Sequence, residues 1–461
     1  MSKRAIWVGV LTLLFPVLAW ACAFTPPYRL PVPFSMYAWA SAMALVLSFA
    51  IIVIFAGTPV ARVAHAEVSV IRNACADQNQ ARRLTLGQTV AVALLIFCIA
   101  TGLLGTNDPY QNFNMTFFWI VFVLAVPYAT LLLGDFFAAV NPWAALGQFA
   151  GRVAYPRTLA YYPALLFYMA FIWLELFGQL SPWGLSVALL LYSVIMLAGA
   201  WLFGSHAWFE HAEFFGVFFR LIGLLAPRHW SSGGIAKNKA EHPSLVLFIL
   251  FMLSSTAYDG LHETYPWVQT YWNGVYPRVV PYLSSSPRTA YEQALFLYQL
   301  WQGFWLVASP FVYWMGLALF LWAAKLISKS QCRVPDLALR FALTLVPIAV
   351  VYHITHYYPT LLVQGPQIVR LISDPLGSGW NLFGTAGQRI APIMVDVGSI
   401  WMSQVILIVA GHIVSSYLAH VEALKTFPNS RQATLSQLPI LLLMVLFTTL
   451  GLKILSMPLA S

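Results

Sequence analysis

Apolar runs of roughly 20 residues follow one another along almost the whole chain, and that pattern removes most folds from consideration. A run of that length is what an α-helix needs to cross about 30 Å of hydrocarbon. The runs lie at about 36–57, 87–105, 115–133, 159–178, 183–204, 244–258, 296–326, 336–360, 396–418 and 434–456. The sixth is short and the seventh long. With a mean hydropathy of +0.75 and only 8% charged residues, the chain lacks the polar surface that a soluble domain needs. The runs are continuous and do not alternate with period two, which excludes a transmembrane β-barrel. The expected fold is all-α: a polytopic transmembrane helix bundle of about ten spans, forming a single domain over 24–461.

The first 23 residues read as a separate element. Lys3 and Arg4 precede the apolar stretch Ile6–Leu18, and Ala19-Trp20-Ala21-Cys22-Ala23 then resembles a signal-peptidase site. Cleavage leaves a Pro-rich N-terminus outside the cytoplasm; an uncleaved signal anchor is the alternative. Alternation from an outside start puts sixteen of the 24 Lys and Arg residues on the cytoplasmic side, including Arg82, Arg83, Arg152, Arg157, Lys239 and Arg333. Five fall outside, Arg29, Arg278, Arg288, Arg370 and Arg389, once Lys3, Arg4 and the membrane-edge Lys453 are set aside. This is the bias of the positive-inside rule. It implies an inner-membrane protein with both mature ends in the periplasm. The net charge of +9 then serves anionic membrane lipids. No basic, aromatic-interleaved domain calls for a nucleic acid. The four cysteines, Cys22, Cys75, Cys98 and Cys332, show neither metal nor haem-attachment spacing.

Ionisable groups inside or beside a bilayer are costly, so they are the functional candidates. Asp259-Gly260-Leu261-His262-Glu263 ends the sixth run, and Tyr352-His353-Ile354-Thr355-His356 lies in the outer half of the eighth. His353 and His356, three apart, share nearly one helix face. Imidazole with carboxylate is the ligand set of a divalent transition metal. His353, His356, Asp259 and His262 are therefore the candidate metal ligands, and Asp259 and Glu263 the candidate catalytic carboxylates. The same histidines can also simply hydrogen-bond to Tyr352, Thr355 or a neighbouring carbonyl. His412 lies deeper, roughly 15 Å from His353 along the normal, and is the candidate ligand of a haem b. His206, Glu210, His211, Glu213, His420 and Glu422 read as solvated helix ends on the inner side. Glu175 and Asp135, near opposite ends of their spans, are each a buried functional acid or a snorkelling end-cap, and the end-cap is the expectation. Residues 214–225 read as an interfacial helix, and the Ser373–Asn381 loop either roofs an outward-facing pocket or simply connects two spans.

Several segments carry a family resemblance: RLPVPFSMYAWASAMALVLSFAIIVIF, LGDFFAAVNPW, STAYDGL, VPIAVVYHITHYYPTLLVQG, LISDPLGSGWNLFGTA and VAGHIVSSYLAH, in that order. Together they resemble the bacterial polytopic membrane proteins named fenitrothion hydrolases, over about 29–420. The resemblance implies membrane-bound hydrolysis of a lipophilic organophosphorus triester, with a second membrane subunit as partner. It covers Asp259, His353, His356, Asp374, His412 and His420 without giving any of them a role. Many members start the mature chain with His-Gly, where this one has Cys22-Ala23-Phe24. The expectation is thus a metal-activated water attacking a lipophilic phosphotriester. The alternatives are a haem or copper protein of electron transfer or metal handling, and a proton-coupled transporter. Discontinuous helices and inverted repeats would mark the transporter, and neither is evident in the sequence.

Overall fold

The computed structural model of the protein describes residues 32–55, 84–230, 233–283, 286–388 and 390–457. The expected signal peptide, Cys22 and Cys75 lie outside the described residues. Among these, nine helices are long and apolar enough to cross a membrane, and the fold is an all-α bundle. They are α1 (Phe34–Phe55), α2 (Leu86–Leu104), α3 (Phe113–Leu133), α5 (Pro182–Phe203), α7 (Pro243–His262), α8 (Pro287–Ser328), α9 (Val334–Ser373), α10 (Val397–Thr426) and α11 (Ser430–Leu455). The tenth expected span is α4 (Tyr162–Phe177), apolar but only 16 residues long. Among the further short helices is α6 (Phe214–Gly223).

Polar caps mark where the apolar runs become helices. Thr85 and Gln88 close a capping box at the start of α2. Ser181 caps α5 and His242 caps α7, each followed by a proline at the first helical position. Asp396 and Asn429 cap α10 and α11 through Ser399 and Gln432.

Two helices sit at the centre. In α7, 83% of the membrane-length window is buried, and in α9, 72%, whereas the other spans range from 17% to 39%. These are the two helices that carry Asp259 and His353, so the candidate groups face protein and not lipid. α9 packs against α7 and α10, α8 against α7 and α11, and α1 against α10 and α11. The helices α2 and α5 pair at the other side of the bundle. Their closest approach is at Gly102, where a Cβ would lie 2.0 Å from Asn114 Nδ2 and 2.4 Å from the Pro182 carbonyl. Asn114 donates to that same carbonyl and to Ser186, so a side chain at 102 breaks a buried network as well. Gly102→Val should lower the yield of folded protein severalfold in fluorescence-detected size exclusion, because backbone cannot move aside as a side chain can.

Several expectations change. The sixth run continues to His262, placing Asp259 and His262 inside the last turns of α7. The seventh becomes a 42-residue helix, and the ninth runs on to Thr426, so His420 and Glu422 are helical interior. The stretch expected at the interface, α6, is buried on nearly every side against α3, α4 and α9. An apolar helix reads alike for a lipid headgroup layer and a protein interior, which is why its sequence misleads. Two spans change pitch locally while running on without a break. α3 widens to a π-helix over Thr116–Ala125, and α9 tightens to a 3₁₀ turn over Ala342–Leu345, where Pro347 has no N–H to give to residue 343.

Candidate functional site

On α7, Asp259 and His262 are i, i+3 and share one face. On α9, His353, His356 and Tyr357 form a stripe at i, i+3 and i+4. The packing of α7 on α9 brings the stripes together. His356 Nε2 lies 2.7 Å from Asp259 Oδ2, and the Tyr357 hydroxyl donates to the same oxygen at 2.7 Å. A carboxylate can only accept, so the His356 tautomer that fits carries its proton on Nε2. Gly260 makes room for Ile454, which a Cβ would meet at 3.0 Å, and lies at ordinary contact distance from the His356 ring, 3.6 Å to Cε1.

The other carboxylate oxygen faces His262, whose Nε2 is 3.5 Å from Asp259 Oδ1. That nitrogen is buried without a hydrogen-bond partner. The ring stacks on Tyr258 at 5.7 Å and meets Phe177 edge-on. Glu263 follows as the C-cap of α7. Burial pushes its carboxyl up and the negative Asp259 adds to this, while His262 and His356 pull it down.

His353 goes elsewhere. Although it shares a face with His356, its ring packs on Tyr357, Phe218 and Tyr128, with centroids at 4.9, 6.0 and 6.2 Å. It forms the wall between two cavities. One, with about 20 Å³ open to the centre of a water-sized molecule, is lined by Glu175, Thr256, Tyr357 and rings of α4 and α6. The other, with about 10 Å³, is lined by Tyr128, Met252 and Val350 among others. Glu175 therefore does not act as an end-cap: it lines the larger cavity and interacts with the Tyr357 hydroxyl.

Asp259, His356 and His262 thus come together as the sequence suggests, and Glu263 adjoins them. His353 approaches the group only through Tyr357. Among the described residues, no group of three or more His, Cys, Asp or Glu side chains is disposed to hold a metal ion. Tyr357 and Glu175 are the residues that the sequence reading missed or undervalued. The signal for Tyr357 was its place one residue after His356 and four after His353.

The remaining candidates separate. His412 is buried in α10, its Nδ1 on the Ile408 carbonyl at 2.8 Å and its Nε2 without a partner. His420, expected to be solvated, is 1% exposed and bonded to Gln437 at 2.9 Å. Glu213 is likewise fully buried, not solvated, and caps α6. His206 and Glu210 do form an exposed end pair at 3.2 Å, while His211 stacks on Tyr155. Glu422 pairs with Arg340 and Lys425. Asp135 caps the turn at Ala138. Asp374 holds Ser378 and Gly379 of its own loop. That loop packs on the connection between α2 and α3, where Thr106 donates to the Leu376 carbonyl and Phe113 to that of Pro375. Cys98 and Cys332 are free thiols.

No protein-family model, no curated protein and no solved structure matches this chain.

Proposed function

We propose that the chain is a membrane-embedded hydrolase of lipophilic organophosphorus triesters, with Asp259 and His356 as its base. The observation that carries this reading is the 2.7 Å carboxylate–imidazole pair on the two most buried spans, whose partner Tyr357 lines a cavity. Asp259 orients His356 and stabilises the imidazolium that forms when the ring takes a proton from water. The water oxygen bonds to phosphorus, the bond to the aryloxy group breaks, and the proton leaves with the phenol. Tyr357 and Thr256 line the cavity wall, and either would have to turn its hydroxyl from Asp259 or from the Met252 carbonyl to donate to a phosphoryl oxygen. A neutral triester partitions into lipid and so concentrates where this site lies.

A divalent transition metal fits part of the ligand set. Asp259 Oδ1 and His262 Nε2, at 3.5 Å, have close to the roughly 3.4 Å separation of two ligands on one tetrahedral ion. Those two residues would hold it, and a bound ion would supply acidity to a coordinated water. The test is release of coloured phenolate from an aromatic thionophosphate triester by the chain in proteoliposomes, with and without a second membrane subunit. His356→Ala should lower turnover at least 100-fold, the usual scale of a lost general base, while the exposed His206→Ala keeps it. Equal turnover in both variants sinks the assignment.

The proposal includes the inner membrane, with the Asp259 end of α7 toward the periplasm and the signal peptide removed. Reporter fusions after Arg157, Lys239 and Arg333 should then report cytoplasm, and fusions near Asn112, Tyr282 and Asn381 periplasm. A periplasmic signal at Lys239 breaks the scheme. Mass analysis of the mature chain should show a start at Cys22 or Phe24.

A second reading, a haem b or copper protein, is favoured by one observation. The Nδ1–H of His412 given to a carbonyl leaves Nε2 free and buried, the arrangement of a metal-bound imidazole. Soret absorbance or copper content lost in His412→Ala supports it; a colourless, copper-free wild type rules it out.

A further inference from the structure

Four polar side chains from three helices line the larger cavity: Glu175 of α4, Thr256 of α7, and His353 and Tyr357 of α9. His353 makes no hydrogen bond among the described residues, and its contacts are the rings of Tyr128, Phe218 and Tyr357. Tyr357 gives its one hydroxyl hydrogen to Asp259 at 2.7 Å, which leaves the oxygen able to accept. Thr256 donates to the Met252 carbonyl over 3.4 Å, a long bond that also leaves lone pairs. Glu175 interacts with the Tyr357 hydroxyl and has a second carboxyl oxygen to offer.

The space between them decides what can bind. About 20 Å³ is open to the centre of a water-sized molecule. One water needs roughly 10–15 Å³ on that measure, together with two to four polar partners. The smaller cavity, with about 10 Å³ and only Tyr128 and His353 as polar side chains, meets neither condition well.

We propose that the larger cavity is a binding site for one water molecule, which bridges Glu175 to His353 and has Thr256 and Tyr357 as its further partners. Water both donates and accepts, so it suits an imidazole with one N–H and one lone pair. It also suits a carboxyl group in either protonation state, so the site requires no charge on Glu175. The bridge ties α4, α7 and α9 together and places Glu175 and His353 one water from the hydroxyl that holds Asp259. The inference rests on the cavity and not on hydrolysis.

X-ray radiolysis of the purified full chain tests it, because hydroxyl radicals formed from a bound water oxidise the side chains that touch it. Phe214, a buried ring on the wall of this cavity, should be oxidised at least tenfold faster than Phe248, a buried ring on neither cavity wall. Thr256→Ile keeps the branch at Cβ, removes the hydroxyl and adds a carbon of about the size of the water. Oxidation of Phe214 should then fall severalfold while that of the exposed Tyr282 stays the same. Should this variant fold poorly, a cryo-EM map of the wild type that shows ordered water supplies an independent reading. It should contain one peak within hydrogen-bonding distance of Glu175 and His353. Equal oxidation of Phe214 and Phe248, an unchanged Phe214 rate in folded Thr256→Ile, or a map with no peak there overturns the proposal. Since no turnover enters these measurements, an inactive hydrolase leaves them unaffected.

Discussion

Asp259→Ala should abolish turnover and also loosen the bundle. The carboxylate takes His356 and Tyr357 on one oxygen and faces His262 with the other. Removing it strands two imidazoles and a hydroxyl between the two most enclosed helices. Breaking a buried ion pair from one side costs about 3–5 kcal/mol. The His356 side chain is 21% exposed, which reduces the expected loss to about 2–3 kcal/mol. Asp259→Asn separates the effects. It keeps the shape and one acceptor oxygen, so thermal unfolding in detergent should shift little. It no longer stabilises a charged His356, so phenolate release should still fall at least 100-fold. An asparagine variant with wild-type turnover would remove Asp259 from the chemistry.

Glu213→Ala should be the most damaging single change away from that site. Its carboxyl accepts from Tyr192 at 2.6 Å, Gly216 N at 2.7 Å, Phe215 N at 3.0 Å and Asn141 Nδ2 at 3.0 Å. Alanine leaves four donors unmet, those of Asn141 and Phe215 buried and those of Tyr192 and Gly216 half-buried, the buried ones at about 1–3 kcal/mol each before relaxation. The start of α6, together with the rings it holds at the cavity wall, loses its anchor. The measurement is the half-life of detergent-solubilised protein at a fixed temperature, expected to fall at least tenfold. Glu213→Gln, which still accepts but adds donors among donors, should fall between the two. An alanine variant as durable as the wild type contradicts this account of α6.

The span pattern was legible because a bilayer imposes length and apolarity on every crossing helix, and the runs near 87–105, 183–204 and 434–456 match α2, α5 and α11 closely. Asp259, His262 and His356 were legible for the converse reason: charge in such surroundings is conspicuous. Partnership was not legible. Nothing in the i, i+3 spacing of His353 and His356 tells that one turns to Asp259 and the other to Phe218, since that depends on how α9 packs on α7 and α6. Glu213 and His420 look like ordinary helix-end residues until Tyr192, Asn141 and Gln437 are brought to them from other parts of the chain. Helix α6 shows the same limit, because lipid and protein interior both accept FFGVFFRLIG.

At 1.5 Å per residue, the 42 residues of α8 extend about 63 Å, twice the hydrocarbon thickness. One helix, with Pro310 inside it, therefore reaches from the bundle to the segment in which Tyr271 donates to the Ala294 carbonyl. The same helix touches α7 twice, through Tyr258 to the Gln302 carbonyl and through Ser254 to Ser309. These contacts tie the segment around Tyr271, through α8, to the helix that carries Asp259, and Pro310 marks where α8 can bend between its two ends.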